Sequence, residues 1–209
     1  MLRFSVFLAL VSCCLILSTA CVSVATTKSA ESSKKDEINV GINFSTKQYL
    51  KKGVYPVLSM LEPYVIYGVS DKLDVEARYH WGPMLGAKYT TFQDTKYSAA
   101  AETSIGIIGL NGITDRPNIV DLYGTLLFSS RFRLVHTVTV GPKIIMRSLL
   151  GGENQYFFGA FINTRLKINP TVHVTPELSY LNRDSLARLF SIYDQRGNIS
   201  FSVGLNHQF

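Results

Sequence analysis

The stretch LDVEARYHW, residues 73–81, alternates apolar and polar side chains without a break. Its apolar positions are Leu73, Val75, Ala77, Tyr79 and Trp81, and its polar positions are Asp74, Glu76, Arg78 and His80. Successive side chains of a β-strand point to opposite faces, so this period of two indicates a strand. We therefore expect the strand to separate two very different environments.

The same alternation recurs along most of the chain, from residue 37 to the closing stretch NISFSVGLNHQF at 198–209. After the first 25 residues no run of 18 apolar residues is present, so the sequence predicts no transmembrane helix there. Tight turns, such as 70–72 and 169–171, alternate with longer links, such as 109–118 and 182–197. Outer-membrane barrels show this asymmetry between short periplasmic turns and longer extracellular loops. We predict an all-β fold, a closed antiparallel up-and-down transmembrane β-barrel of about ten strands, with eight as the alternative.

Alternation alone does not decide which face is outward, because a soluble lipocalin-like barrel alternates as well. The polar faces carry ionisable groups, which we expect to form a mixed-charge network in the lumen: Glu76, Arg78, Lys88, Glu102, Asp121, Lys143, Arg165 and Glu177. Aromatic residues on the apolar faces gather near strand ends, as two interfacial girdles would require: Tyr79, Trp81, Tyr97, Phe128, Tyr156, Tyr180 and Phe209. Both features favour an apolar face that meets lipid. Within the network, we expect Lys143 and Asp121 to lie near each other.

The N-terminus has the layout of a secretory signal peptide, with Arg3 ahead of a short apolar run and then small residues. We assign residues 1–25 to this signal, with Ser23-Val24-Ala25 as one cleavage site. Cys21, preceded by Ser18-Thr19-Ala20, is similar to a lipoprotein cleavage site and leaves lipidation open. Residues 26–36 are polar, which predicts a disordered linker, and residues 37–209 form the barrel. The three cysteines all lie before residue 22, so no disulfide framework is available to the barrel.

The C-terminal strand carries a second motif. Ser202, Gly204, His207 and the terminal Phe209 resemble the C-terminal targeting signal of bacterial outer-membrane β-barrels. His207 departs from that pattern, which has a tyrosine, phenylalanine or aliphatic residue there. The resemblance implies location in the bacterial outer membrane and recognition by the barrel-assembly machinery.

A narrow lumen filled by side chains predicts a structural or surface-interaction role, or a small porin-like channel. The alternative is an outer-membrane hydrolase acting on lipid A or on protein. His80 with Asp121 or Glu62, and separately His136, are its candidate residues. Because no Ser-His-acid spacing accompanies them, we expect no enzyme activity.

Composition narrows the partners. Net charge is +6 with an isoelectric point near 9.2, and mean hydropathy is +0.14. Lysine and arginine are spread along the chain, which argues against nucleic acid as a partner. Basic loop residues favour outer-membrane lipid and lipopolysaccharide instead. We expect a monomer, and no cofactor or metal site.

Overall fold

The computed structural model describes residues 25–49, 58–80, 82–108, 119–132, 136–149, 154–183 and 198–209. These ranges contain ten strands: β1 Ile38–Tyr49, β2 Leu58–Ser70, β3 Leu73–Tyr79, β4 Pro83–Gln93, β5 Tyr97–Ile108, β6 Ile119–Phe132, β7 His136–Leu149, β8 Gln155–Lys167, β9 Val172–Arg183 and β10 Asn198–Gln208. None of the residues described belongs to a helix that could cross a membrane.

The ten strands form one closed sheet. Each strand pairs antiparallel with its neighbours in sequence, and β1 also pairs with β10, from Asn39 opposite Gln208 to Tyr49 opposite Asn198. This arrangement confirms the closed up-and-down barrel, with ten strands rather than eight. Closure leaves no sheet edge unpaired, which is the condition for a sheet to lie in hydrocarbon.

The alternation predicted from sequence reappears as alternation between the lumen and the outer surface. In β3, Asp74, Glu76 and Arg78 are buried in the lumen, whereas Val75 and Tyr79 are 39% and 48% exposed. The outer face of the other strands is apolar in the same way. The lumen side is polar and charged, as the lipid-facing orientation requires.

The turns joining β4 to β5 and β8 to β9 follow one design. The Asp94 carboxylate accepts hydrogen bonds from the backbone N–H groups of Lys96 and Tyr97, each at 2.6 Å. The Asn169 side chain accepts from those of Thr171 and Val172, at 2.9 and 2.8 Å. Such side-chain bonds to the following backbone explain why Asp and Asn stand at these turns. In the Asp94 turn, the N–H groups of Tyr97 and Lys96 hold the pKa of Asp94 below its usual value.

The structure differs from the sequence-based expectation of a disordered linker before β1. Residues 25–30 are buried inside the barrel. The chain then reaches the end of the barrel at which the tight turns join the strands, which we call the turn end, and reverses into β1. At the reversal, Asp36 adopts a left-handed backbone with φ of 65°, its N–H donates to the Gly68 carbonyl at 2.8 Å, and the Tyr67 hydroxyl donates to its carboxylate at 2.6 Å. A polar composition predicts disorder only when no partner is available. Here the charged lumen supplies the partners.

Two small apolar clusters complete the lumen. One lies towards the opposite end of the barrel, at which the longer links join the strands and which we call the long-link end. It comprises Met84, Tyr123, Ile145, Phe157 and Leu181. The other packs against the N-terminal residues and comprises Ala30, Ala100, Leu127 and Phe161. These inward apolar side chains depart from a strictly polar interior, and they narrow the lumen at two depths.

Candidate functional site

The site of interest is the lumen, and residues 25–33, which we call the lumen segment, form its centre. Near the turn end, the Ser33 N–H donates to Asp74 at 3.1 Å. Deeper in the barrel, the Ala30 N–H donates to the Ser129 hydroxyl at 2.8 Å. The segment therefore runs from the turn end towards the long-link end with its backbone held by the barrel wall.

Further wall side chains reach the carbonyl groups of the segment. Thr90 donates to the Ala30 carbonyl at 3.0 Å, Asn163 to that of Lys28 at 3.0 Å and Arg78 to that of Ala25 at 2.5 Å. A buried backbone carbonyl without a partner is costly, so these bonds make enclosure of the segment possible.

Lys28 places one positive charge at the middle of the lumen. Its ammonium group contacts the carboxylates of Glu76 and Glu102 and is 6% exposed. Arg78 donates to the other oxygen of Glu76 at 2.8 Å. Arg78 also lies 3.4 Å from Glu62, whose second oxygen is 3.0 Å from His80 Nδ1. Lys28 thus joins Glu102 to a continuous chain of buried ionic contacts that runs through Glu76, Arg78 and Glu62 to His80.

Three further ion pairs surround this chain. Lys88 Nζ lies 2.9 Å from Asp74 and donates to the Ser29 carbonyl at 3.2 Å. Lys143 Nζ lies 3.2 Å from Glu177. Arg147 makes a two-pronged contact with Asp121 at 2.8 and 2.7 Å. Such pairing is what permits charged groups to stay buried.

The predicted proximity of Lys143 and Asp121 is wrong. In the register of β6 and β7, Asp121 stands opposite Arg147, whereas Lys143 stands opposite Thr125. Arg147 is therefore the ion-pair partner of Asp121, and Lys143 pairs with Glu177 on β9. Arg147 lies within β7, which extends to Leu149, and the register of β6 and β7 therefore brings it to Asp121.

The structure brings seven of the eight predicted lumen charges into this inner region: Glu76, Arg78, Lys88, Glu102, Asp121, Lys143 and Glu177. Arg165 lies nearer the turn-end mouth, where it is 27% exposed and 4.0 Å from Glu31. Sequence reasoning missed Glu62 as a network member and missed Lys28 altogether. The alternation of β2 could have predicted that Glu62 faces the lumen, whereas no local sequence pattern predicts that Lys28 does.

A cavity of about 660 Å³ opens at the turn end below the lumen segment. Its wall is rich in basic groups, among them Lys28, Lys88, Arg131, Arg165, Lys167 and His173. Glu31 of the lumen segment reaches into it and accepts from Arg131 at 2.6 Å. The segment thus lies between this cavity and the apolar cluster at the long-link end.

The residues proposed for a hydrolase are not brought together. His80 is 3% exposed and bonded to Glu62, at the end of the barrel where β3 ends. His136 stands opposite Phe132 at the other end, exposed on the outer surface. Asp121 is held by Arg147 and by the Tyr123 hydroxyl at 2.9 Å. No group of side chains within the described ranges has the composition of a metal site.

The predicted girdle residues lie on the outer surface. Tyr79, Tyr97, Phe128, Tyr156 and Phe209 are between 41% and 74% exposed, and Tyr180 is half-buried. Trp81 lies outside the described residues. Four aromatic residues that sequence reasoning missed extend the turn-end girdle, with exposures from 38% to 56%: Tyr67, Tyr89, Phe92 and Phe132.

The C-terminal motif is divided between the two faces of β10. Ser202 and Gly204 face the lumen, where the Ser202 hydroxyl donates to that of Ser45 at 3.1 Å. His207 and Phe209 lie on the outer side with ring centroids 4.3 Å apart. The Phe209 N–H donates to the Ile38 carbonyl at 2.9 Å, which ties the C-terminus to the start of β1. Cys21 and the rest of residues 1–24 lie outside the described residues.

No family model matches the chain, and no curated protein matches it. Among solved structures, an outer-membrane channel from Pseudomonas putida F1 is 9% identical, covers 90% of this chain and 100% of its own, and gives a TM-score of 0.49. The outer-membrane protease OmpT from Escherichia coli is 10% identical, with 87% and 100% covered and a TM-score of 0.44. The attachment invasion locus protein Ail of Yersinia pestis is 11% identical, with 84% and 99% covered and a TM-score of 0.37. None of their roles transfers to this chain at such similarity.

Proposed function

We propose that this chain is an integral protein of the bacterial outer membrane. Support comes from the outer surface, which is apolar on strands all around the barrel, as at Ile42, Leu85, Leu126, Ile162 and Leu205, each 37% to 63% exposed. A water-soluble protein rarely exposes so large a continuous apolar surface. The C-terminal Phe209 motif supports insertion by the barrel-assembly machinery.

Within the membrane, the role is a closed structural or surface-binding barrel rather than an open pore. The single observation that carries this proposal is Lys28, buried between Glu76 and Glu102 in the middle of the lumen. A freely conducting channel needs water along its axis, and here the axis is occupied by the protein's own backbone. The surface partners we propose are outer-membrane lipid and lipopolysaccharide, and the barrel acts as a monomer.

Fractionation and conductance test the two parts of the proposal. The protein should cofractionate with outer membranes on a density gradient and should migrate differently on a detergent gel when it is not boiled. In a planar bilayer, the purified barrel should show no steady ion-conducting steps. A mature chain that is a monomer in plain buffer without detergent would refute the membrane assignment, and stable conductance would refute the closed state.

A small porin-like channel is the second candidate, and the turn-end cavity of about 660 Å³ favours it. Removal of the lumen segment would join this cavity to the space the segment now fills. Deletion of residues 26–33 should then produce conducting steps. If the deletion variant inserts and stays silent, the apolar cluster alone closes the barrel and the channel role fails.

We propose no enzymatic role. The buried His80–Glu62 pair is satisfied within an ionic chain and reaches no open surface. Replacing His80 with alanine, or His136 with alanine, should leave lipid A and peptide substrates processed to the same extent as with the parent chain. Loss of a measurable turnover in either variant would establish the hydrolase instead.

A further inference from the structure

The lumen segment begins deep inside the barrel, and this position bears on where the signal peptide is cleaved. Ala25, the first described residue, is 0% exposed and accepts a hydrogen bond from Arg78, near the end of β3. The next residue, Thr26, directs its backbone N–H at Glu177, with 3.1 Å between nitrogen and carboxylate oxygen. The peptide bond between Ala25 and Thr26 therefore lies inside the barrel, close to a buried acid.

The Glu177 carboxylate can accept more hydrogen bonds than the one from the Thr26 amide. Its side chain is 0% exposed, and one oxygen accepts from both Thr26 and Lys143. Its other oxygen is buried and has no hydrogen-bond partner among the described residues. A buried carboxylate normally fills all its acceptor positions, so this oxygen indicates a missing donor.

The ion pairs of the inner lumen show which basic groups stand near each carboxylate. Among the described side chains that form ion pairs and are at most 14% exposed, the carboxylates are Glu62, Asp74, Glu76, Glu102, Asp121 and Glu177. The matching lysines and arginines are Lys28, Arg78, Lys88, Lys143 and Arg147. A sixth basic group, His80, is 1% exposed and lies 3.0 Å from Glu62, so each of these carboxylates has a basic partner among the described residues, and that of Glu177 is Lys143.

We infer that the export machinery's signal peptidase cleaves after Ala25, and that the new ammonium group of Thr26 pairs with Glu177 in the lumen. The inference rests on the proposed exported barrel. Water adds across the Ala25–Thr26 peptide bond, the Ala25 carboxylate leaves with the signal peptide, and the freed Thr26 amine takes up a proton. The ammonium then offers three donors where the amide offers one, and a second donor can serve the unpartnered oxygen of Glu177.

This geometry excludes lipidation at Cys21. Three residues separate Cys21 from Ala25, so the Cα atoms of the two are at most about 14 Å apart. A diacylglyceryl group attached there would lie inside a closed sheet, because Ala25 is enclosed by the wall. Ser23-Val24-Ala25, the other small-x-small site, requires no such displacement.

The first test is the intact mass and N-terminal sequence of the protein purified from outer-membrane fractions. We expect a chain that starts at Thr26, and an identical mass from the Cys21→Ser variant because that residue is removed. A start at Cys21 with added acyl mass, or any other start, would overturn the inference while leaving the outer-membrane proposal intact. Failure of the protein to enter the outer-membrane fraction would count against the proposed function instead.

The second test concerns the ammonium group itself. The folded barrel in detergent is treated with an amine-acylating reagent, and the exposed Lys35 side chain serves as the internal control. Thr26 should react about tenfold or more slowly than Lys35 in the folded barrel, and at a similar rate after boiling. Glu177→Gln should raise the Thr26 rate, whereas Asp71→Asn at the turn end should not. Equal reaction of Thr26 and Lys35 before boiling would refute the buried pairing.

Discussion

Lys28 is the residue on which the closed lumen depends most. Its ammonium group forms ion pairs with two carboxylates at once. Loss of this side chain therefore leaves Glu76 and Glu102 buried with less positive charge nearby. We predict that Lys28→Met lowers the free energy of unfolding by about 3–5 kcal/mol. The measurement is the loss of the folded band on a detergent gel against temperature and denaturant. Lys35→Met, at an exposed position two residues beyond the lumen segment, is the control and should have little effect; equal effects of the two would contradict the role of Lys28.

Gly204 shows how closely the lumen segment approaches the wall. A Cβ atom placed there would lie 2.7 Å from Asn43 Oδ1 and 2.9 Å from the Cβ of Thr27. At Gly106, which also faces the lumen, the nearest atom would be 3.6 Å away. Gly204→Ala should therefore destabilise the barrel by about 1–3 kcal/mol, and Gly106→Ala should be tolerated. Equal destabilisation of the two variants would contradict this role of the close contact.

At this scale, sequence reasoning placed side chains well and partners poorly. Alternation put Glu76, Arg78 and Glu177 on the inner face, because that requires only their parity within a strand. Partners depend on the register between strands, which parity does not fix. The sequence analysis therefore paired Asp121 with Lys143, whereas the structure pairs it with Arg147. Lys28 could not be found, because nothing in a polar stretch such as 26–36 specifies that it enters a cavity.

The turn between β4 and β5 offers a prediction at the scale of an element. Because the pKa of Asp94 is lowered by the N–H groups of Tyr97 and Lys96, its contribution to stability is present above the ordinary carboxyl pKa of about 3.9 and is lost as pH falls through the lower folded value. Asp94→Asn keeps the acceptor without the charge. The unfolding midpoint of the parent should thus fall more than that of Asp94→Asn between pH 7 and pH 3. Parallel curves would contradict this role.

Strands were predictable because each one carries its own period of two, and turns were predictable because Asp94 and Asn169 are typical turn residues. The lumen segment was not, because an irregular stretch has no period. Its place follows from contacts with several strands at once, such as Ser129 on β6 and Asn163 on β8.

For the whole molecule, the decisive test is the polarity of the outer surface. Leu126 lies midway along β6 and is 47% exposed, whereas Ile168 lies at the turn end and is 65% exposed. In a bilayer, Leu126→Arg should cost about 2–4 kcal/mol and Ile168→Arg about 0–1 kcal/mol. Unfolding in lipid vesicles measures both. Equal and small effects would mean that the surface does not meet hydrocarbon.

The seam between β1 and β10 is where the ends of the chain meet, and the lumen segment contacts both of its strands. The Thr27 hydroxyl donates to Asn43 on β1 at 2.6 Å, and Thr27 also borders Gly204 on β10. Since residues 25–37 directly precede β1, the last strand to be synthesised completes the wall around the residues that lead into the first strand. A barrel that closed without the lumen segment inside would therefore lack the contacts that hold its first and last strands to a common centre.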